Sequence, residues 1–311
     1  MNAIIMSGGG AKGAFTVGAL KYLSGKGLLD DLDLISGTST GSLIAAMYCA
    51  GEIKVLEDVY RNVEQDDILW YSSIPENIME KNTWLFDTTP LRRVIAGRVT
   101  QNVFDAIMNK PTELFLTAVN LQTGAPTVFS SKAVTEHQGQ FDVIQMSTRP
   151  LLLKALEASS NQGVLMPPVR IEIGQEKYDF VDGGHREVLP TMIVRHRIEQ
   201  RKDPANRVFL ISNNPMTLMR GKDEYTNLAD VLMRIINIFV QDVRDNDIAS
   251  LRGIPNVETI LICPGDRDID EDYSTGLRFN STLMGDWMDF GQIRAEEEMN
   301  KVAARDALVG K

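Results

Sequence analysis

What this chain has little of narrows its chemistry first. It holds two cysteines in 311 residues, Cys49 and Cys263, too few for a disulfide framework and without the spacing of metal ligands. Both lie in apolar stretches and are expected as buried free thiols. Histidine is nearly as scarce, and His137, His185 and His196 are the only candidates for a histidine base. Long apolar runs are missing too: none reaches the roughly 18 consecutive residues of a membrane span. The nearest is Val231 to Val240, which Arg234 and Asn237 interrupt at helical spacing, so it reads as an amphipathic helix packed on the core. Positive charge is in deficit, with 32 basic against 42 acidic residues and a net charge of -10. That balance argues against nucleic acid, whose binding needs clustered lysine and arginine. The local cluster Arg195, Arg197, Arg201 and Lys202 reads as a solvated helix end or as partners for Glu199 and Asp203. Met1 to Met6 lacks a basic region and meets glycine too early for a secretory leader, so the expected location is cytoplasmic.

What is present is enough for a substantial core, since 43% of residues are hydrophobic. No linker, internal repeat or low-complexity tract divides the chain, and one domain over 1–311 is expected, with about 266–311 as a C-terminal helical extension. Strand candidates are 3–6, 32–36, 113–121, 127–130, 169–173, 178–181, 207–212 and 257–263. Helix candidates are 12–25, 41–65, 89–96, 141–159, 190–200, 225–250 and 285–308. Alternation of this kind predicts an α/β fold, with a mainly parallel central sheet, helices on both faces, and antiparallel hairpins added by 113–130 and 169–181. The stretch from about 71 to 89 has little regular pattern and reads as a substrate loop or lid.

Two strand-to-helix junctions carry chemistry. The apolar run Leu32, Leu34, Ile35 leads into Gly37-Thr38-Ser39-Thr40-Gly41 and then a helix, the GxSxG arrangement in which a serine is pushed into the open and flanking glycines clear space around it. Earlier, Ala3 to Met6 leads into Ser7-Gly8-Gly9-Gly10-Ala11-Lys12-Gly13 and a second helix. Amides at such a helix start can meet a phosphate or the oxyanion of acyl transfer. A third motif, Asp182-Gly183-Gly184, follows the strand Tyr178 to Val181 and offers a carboxylate that could activate the serine.

Gly8, Gly10 and Gly13 also satisfy the dinucleotide pattern GxGxxG. That pattern needs an acidic residue at the end of the second strand. Asp31 and Asp33 precede that strand, and the serine turn follows it, so acyl transfer explains both turns where dinucleotide binding explains one.

These three motifs, in this order and at comparable spacing, resemble the patatin-like phospholipase family, whose signatures are GGGxKG or GGGxRG, GxSxG, and DGG or DGA. Weaker similarity runs through Leu85 to Leu91, Thr117 to Gly124, and Ala158-Ser159-Ser160. It covers roughly residues 1 to 190. The resemblance implies that Ser39 is the nucleophile and Asp182 its base in a dyad, with an oxyanion hole from the loop Gly8, Gly9, Gly10 and Gly13. It implies Gly37 and Gly41 as the frame of the nucleophile turn and Gly183 and Gly184 as the frame of Asp182. It also implies no metal or other cofactor, and a lipid ester or phospholipid substrate met at a membrane surface. The family's Asn-Pro after DGG departs here, where His185 to Pro190 keeps the proline and lacks the asparagine.

Competing readings stand beside these. His185 lies close to Asp182 and permits a serine, histidine and acid triad as a minority hypothesis, while His137 and His196 read as surface residues. Lys12 reads as a solvated charge, and Arg294 to Arg305 as a charged surface helix closing the domain. Two other functions are a regulatory lipid-binding protein of the same fold with little turnover, and a nucleotide-binding protein using GxGxxG. The oligomeric state is not legible in the sequence.

Overall fold

The computed structural model describes residues 1–71, 84–134, 139–218, 220–221, 223–265 and 276–309. The chain opens with β1 (Asn2–Met6), α1 (Gly13–Gly25), β2 (Leu34–Thr38), α2 (Thr40–Cys49), α3 (Ile53–Asn62) and α4 (Gln65–Ile68). It continues with β3 (Trp70–Tyr71), β4 (Phe86–Asp87), α5 (Thr89–Arg98), α6 (Gln101–Asn109), β5 (Glu113–Asn120), β6 (Pro126–Ser130) and β7 (Asp142–Gln145). The last third adds α7 (Arg149–Ser160), β8 (Val169–Ile173), β9 (Glu176–Asp182), α8 (Thr191–Arg201), β10 (Asn206–Ile211), α9 (Leu228–Arg252), β11 (Val257–Ile262) and α10 (Ser281–Val309).

The central sheet runs β11-β10-β1-β2-β5-β6-β7, and its first five strands are mutually parallel. Strand β6 returns antiparallel to β5, and the antiparallel β8-β9 hairpin joins β5 through β9. The sheet is thus mainly parallel, with the two expected hairpins as additions. Both faces are covered, as alternation along β1 shows: Ile4 and Met6 enter one core with α1 and α2, while Ala3 and Ile5 enter a second with α8 and the end of α9. Strands buried on both faces read as unbroken apolar runs, which is why β1 and β10 were plain in the sequence.

Four local features differ from the sequence reading. The helix expected over 41–65 is two helices, because Gly51 turns the chain at φ 88. The helix expected over 141–159 begins only at Arg149, where the Thr148 hydroxyl accepts from the Leu151 amide as an N-cap and Pro150 fits the first turn. The preceding residues pair with β6 as β7 instead. Helix α6, capped by the Thr100 hydroxyl accepting from the Val103 amide, had no counterpart in the sequence reading. Of the irregular 71–89 stretch, residues 72–83 lie outside the described residues.

Helix α10 crosses α1 at backbone contact. A Cβ on Gly18 would stand 1.8 Å from the Met288 carbonyl oxygen, and one on Gly291 would stand 2.1 Å from that of Phe15. Two glycines therefore set this crossing, and Met284, Trp287, Met288 and Ala295 of α10 are part of the main core. Cys49 and Cys263 are buried and outside any disulfide. Arg201 reaches Asp203 at 3.1 Å and Asp33 at 2.9 Å, a paired rather than open basic cluster.

Candidate active site

Ser39 stands between β2 and α2 with φ 58, a left-handed backbone that non-glycine residues rarely adopt. The strain is held by close packing on both sides. A Cβ on Gly37 would lie 2.3 Å from the Gly41 carbonyl oxygen, and one on Gly41 would lie 2.3 Å from that of Met6. Side chains then fix the backbone of the turn. The Ser39 amide donates to the Ser159 hydroxyl at 3.0 Å, and that hydroxyl donates on to the Thr117 carbonyl at 2.7 Å. The Ser39 carbonyl accepts from the Ser42 hydroxyl at 2.6 Å and from Ser160 at 3.4 Å.

Strand β5 brings the second motif to the first. Thr38 pairs with Thr117 at the end of β2, and Asp182 pairs with Ala118 at the end of β9. The two strand ends meet over adjacent residues of β5. Glycine is needed at 183 for this approach, since a Cβ there would lie 2.4 Å from the Thr117 carbonyl oxygen. Asp182 is only 2% exposed, and its amide donates to the Asn161 carbonyl at 2.9 Å. Its carboxylate accepts from the Gly184 amide at 2.7 Å. Burial raises the Asp182 pKa, and the Ser39 hydroxyl, the Gly184 amide and the His185 charge oppose that rise.

The glycine loop lies against the same serine. A Cβ on Gly8 would lie 2.9 Å from Cβ of Ser39, and one on Gly13 would lie 2.6 Å from the Tyr60 hydroxyl. The Gly8 amide already donates to the Val188 carbonyl at 3.3 Å, and the Gly13 amide donates to the carbonyls of Gly10 and Ala11. The Ala11 amide donates to the Gly276 carbonyl at 2.8 Å. Neither the Gly9 nor the Gly10 amide has an acceptor among the described residues, and both glycines have positive φ, 146 and 58.

Ser39, Asp182, Gly184 and the loop residues Gly8, Gly9 and Gly10 line a cavity of about 240 Å³ whose walls are mostly apolar. Leu43 and Met47 of α2, Leu56 and Val59 of α3, and Leu91 of α5 form one side, and Met233 and Ile236 of α9 form another. Lys12 is not a solvated charge as expected. It is 7% exposed, donates to the Asn214 carboxamide oxygen at 2.5 Å and lines the cavity, and burial together with the Arg244 charge pulls its pKa down to about 8.

The histidines are placed differently from one another. Nε2 of His185 accepts from the Gly163 amide at 3.2 Å, so that nitrogen faces the backbone rather than the serine. His196 is buried, not exposed as expected, because the inward face of α8 carries it edge-on to Phe141 at 5.7 Å. His137 lies outside the described residues.

Several supports were not legible in the motifs. Asn213 ties the glycine loop down, its carboxamide donating to the carbonyls of Ser7 at 3.1 Å and Gly8 at 3.3 Å, while its amide donates to the Ser7 hydroxyl at 2.8 Å. Asp247 of α9 accepts from the amides of Val188 at 2.8 Å and Leu189 at 2.9 Å, holding the peptide on which Gly8 rests. Arg244, fully buried, donates to the carbonyls of Asn214, Pro215 and Met216. These residues come from distant parts of the chain, where only the closed fold gives them meaning. Ser159 and Ser160 did appear among the residues of resemblance, without a role. No group of three histidine, cysteine or acidic side chains suited to a metal occurs among the described residues.

The chain belongs to the patatin-like phospholipase family, a family of lipid hydrolases, whose model matches residues 4–195. It is 25% identical over 193 residues to the cUMP-AMP-activated phospholipase of Escherichia coli, a match covering 61% of this chain and 56% of that protein. The chain thus spans little more than half the length of that relative. Among solved structures it is similar to VipD from Legionella pneumophila, with a TM-score of 0.45 and 15% identity over 96% of this chain and 66% of that one. It is also similar to the ExoU–SpcU complex of the Pseudomonas aeruginosa type III secretion system, with a TM-score of 0.36 and 13% identity over 97% and 51% of the two chains.

Proposed function

We propose that this protein is a serine acyl hydrolase that cleaves fatty-acyl esters of lipids through a Ser39-Asp182 dyad. The observation that carries the reading is a serine on a strained turn and a buried carboxylate that line the same mostly apolar cavity. Ser39 Oγ attacks the ester carbonyl while Asp182 takes its proton, giving a tetrahedral intermediate. The Gly9 and Gly10 amides donate to the oxyanion, and Gly8 and Gly13 serve by leaving room for the loop to approach Ser39 and Thr40. Collapse expels the alcohol, which takes the proton from Asp182 and leaves an acyl group on Ser39. Water, deprotonated by Asp182, then releases the fatty acid and restores the hydroxyl. Acyl transfer through serine requires no cofactor.

Burial of Asp182 supports its role as base. A carboxylate lifted above its ordinary pKa is a stronger proton acceptor, provided enough of it stays ionised at working pH. The three opposing interactions serve that condition. The dinucleotide alternative fits less well, because β2 ends in the Ser39 turn and not in an acidic residue that could hold a ribose.

The test is hydrolysis of a soluble p-nitrophenyl ester and of phospholipid by wild type, Ser39→Ala and Asp182→Asn, with and without cUMP-AMP, the activator in the name of the E. coli relative. Each variant should lose on the order of 10⁴-fold in rate while keeping its circular dichroism spectrum. A folded wild type without turnover on either substrate would favour the regulatory lipid-binding alternative.

A further inference from the structure

Several exposed apolar side chains lie on elements that also line the cavity. Helix α9 turns Met233, Ile236 and Val240 to the cavity, and on its other face exposes Ile235, Ile238 and Phe239, the last to 66%. A helix apolar on both faces is expected where both are covered. Here the protein covers one. The same helix continues outward in Asp242 and Asp245, both exposed.

The loop after α7 repeats the pattern. Val164 is 61% exposed between Gln162 and Leu165, which line the cavity. Its φ of 74 is a backbone that a β-branched residue adopts only under strain, and glycine would sit there freely. Met216, also exposed, lies between the cavity-lining Pro215 and Thr217.

We propose that the outer face of α9, with Val164 and Met216, is a rim that seats the cavity on a lipid surface of zwitterionic head groups. This rests on the ester-hydrolase reading, in which the cavity takes an acyl chain. A rim inserted below the head groups lets that chain pass from the bilayer to Ser39 without crossing water, and each apolar group buried in the interface adds to binding. Charge selects the kind of surface. The chain carries a net charge of -10, and the exposed Asp242 extends the helix beside the apolar stripe, so anionic lipid is repelled.

The experiment is co-sedimentation with phosphatidylcholine vesicles, beside hydrolysis of a soluble short-chain ester. The double variant Ile235→Ser/Phe239→Ser should bind vesicles about tenfold or more weakly, since binding scales with the apolar area inserted, and should hydrolyse the soluble ester at close to the wild-type rate. Val164→Gly should melt higher and yet bind vesicles less, a pairing that a purely structural valine would not give. Vesicles doped with phosphatidylglycerol should bind the wild type less. The proposal is overturned if the double variant sediments like wild type, if phosphatidylglycerol strengthens binding, or if Val164→Gly binds unchanged. It is overturned as well if light scattering shows a wild-type dimer that the double variant converts to monomer, since a second copy would then cover the stripe. Failure of the hydrolase reading shows separately, as a wild type that binds vesicles and leaves the soluble ester intact.

Discussion

Asp182 ends its strand one residue along β5 from the point where Thr38, the neighbour of Ser39, ends its own. Thr38 pairs with Thr117 in parallel and Asp182 pairs with Ala118 in antiparallel, so β2 and β9 run head-on along one edge of the same strand. A slip of one residue in the β9–β5 register would turn Asp182 to the opposite face of the sheet. The geometry of the proposed dyad is therefore set by β5, which carries neither member.

The glycine loop gives the first prediction. At Gly10, φ is 58 and an added Cβ would stand 1.9 Å from the Gly276 carbonyl oxygen, so Gly10→Ala must displace backbone on one side or the other. With its amide redirected, the variant should lose about 10²- to 10³-fold in kcat, the cost of one oxyanion donor, with a smaller change in KM. Steady-state kinetics on a soluble ester checks this. Unchanged kcat would remove the loop from the transition state.

A second prediction separates dyad from triad. Nε2 of His185 accepts from the Gly163 amide, which commits that nitrogen to the backbone rather than to Ser39. His185→Ala should therefore keep substantial hydrolysis. A folded His185→Ala as inactive as Ser39→Ala would make the histidine the base.

Much of this was open to reading in the sequence, and the division has a physical basis. The parallel strands and the three motifs announce themselves locally, as apolar runs that end in glycine turns at fixed offsets. Strand β7 and helix α6 were hidden because four residues of mixed polarity, Asp142 to Gln145, become a strand only by pairing with β6. Lys12 was misread for a similar reason: what buries it, Asn214 and the Arg244 network, arrives from the loop after β10 and from α9. Local pattern names the chemistry of a turn, and long-range contact decides which of its groups face water.

Third, the carboxyls beneath the site make stability depend on pH. Burial raises Glu187 to about 7, and burial with the Glu187 charge raises Asp247 to about 8, from ordinary values of 4.5 and 3.8. The folded protein thus holds protons that the unfolded chain has released, and stability falls as pH rises. The contribution is complete below about pH 4 and lost as pH passes through 7 to 8. Thermal melts should show the midpoint declining across pH 5 to 8.5, on the order of a few degrees. Asp247→Asn, which can still accept the Val188 and Leu189 amides, should flatten that decline, and an equal slope in wild type and variant would refute the assignment.

The fourth prediction concerns the α1–α10 crossing. Gly291→Ala places a methyl group 2.1 Å from the Phe15 carbonyl oxygen, and the helices must separate to admit it. Overpacking of this kind costs about 1 to 3 kcal/mol, readable in urea unfolding. Ser39 and Asp182 do not touch that contact, so kcat of the folded fraction should hold. A variant as stable as wild type would mean that the crossing is looser than the backbone contact indicates.

The most direct measurement of the central claim is covalent labelling with a fluorophosphonate, followed by mass spectrometry of the digested protein. An activated serine should take one adduct, on the peptide containing Ser39, in wild type. Ser39→Ala should take none, and Asp182→Asn should react on the order of 10³-fold more slowly or beyond. An adduct on another residue, or Asp182→Asn labelled at the wild-type rate, would contradict the Ser39-Asp182 dyad.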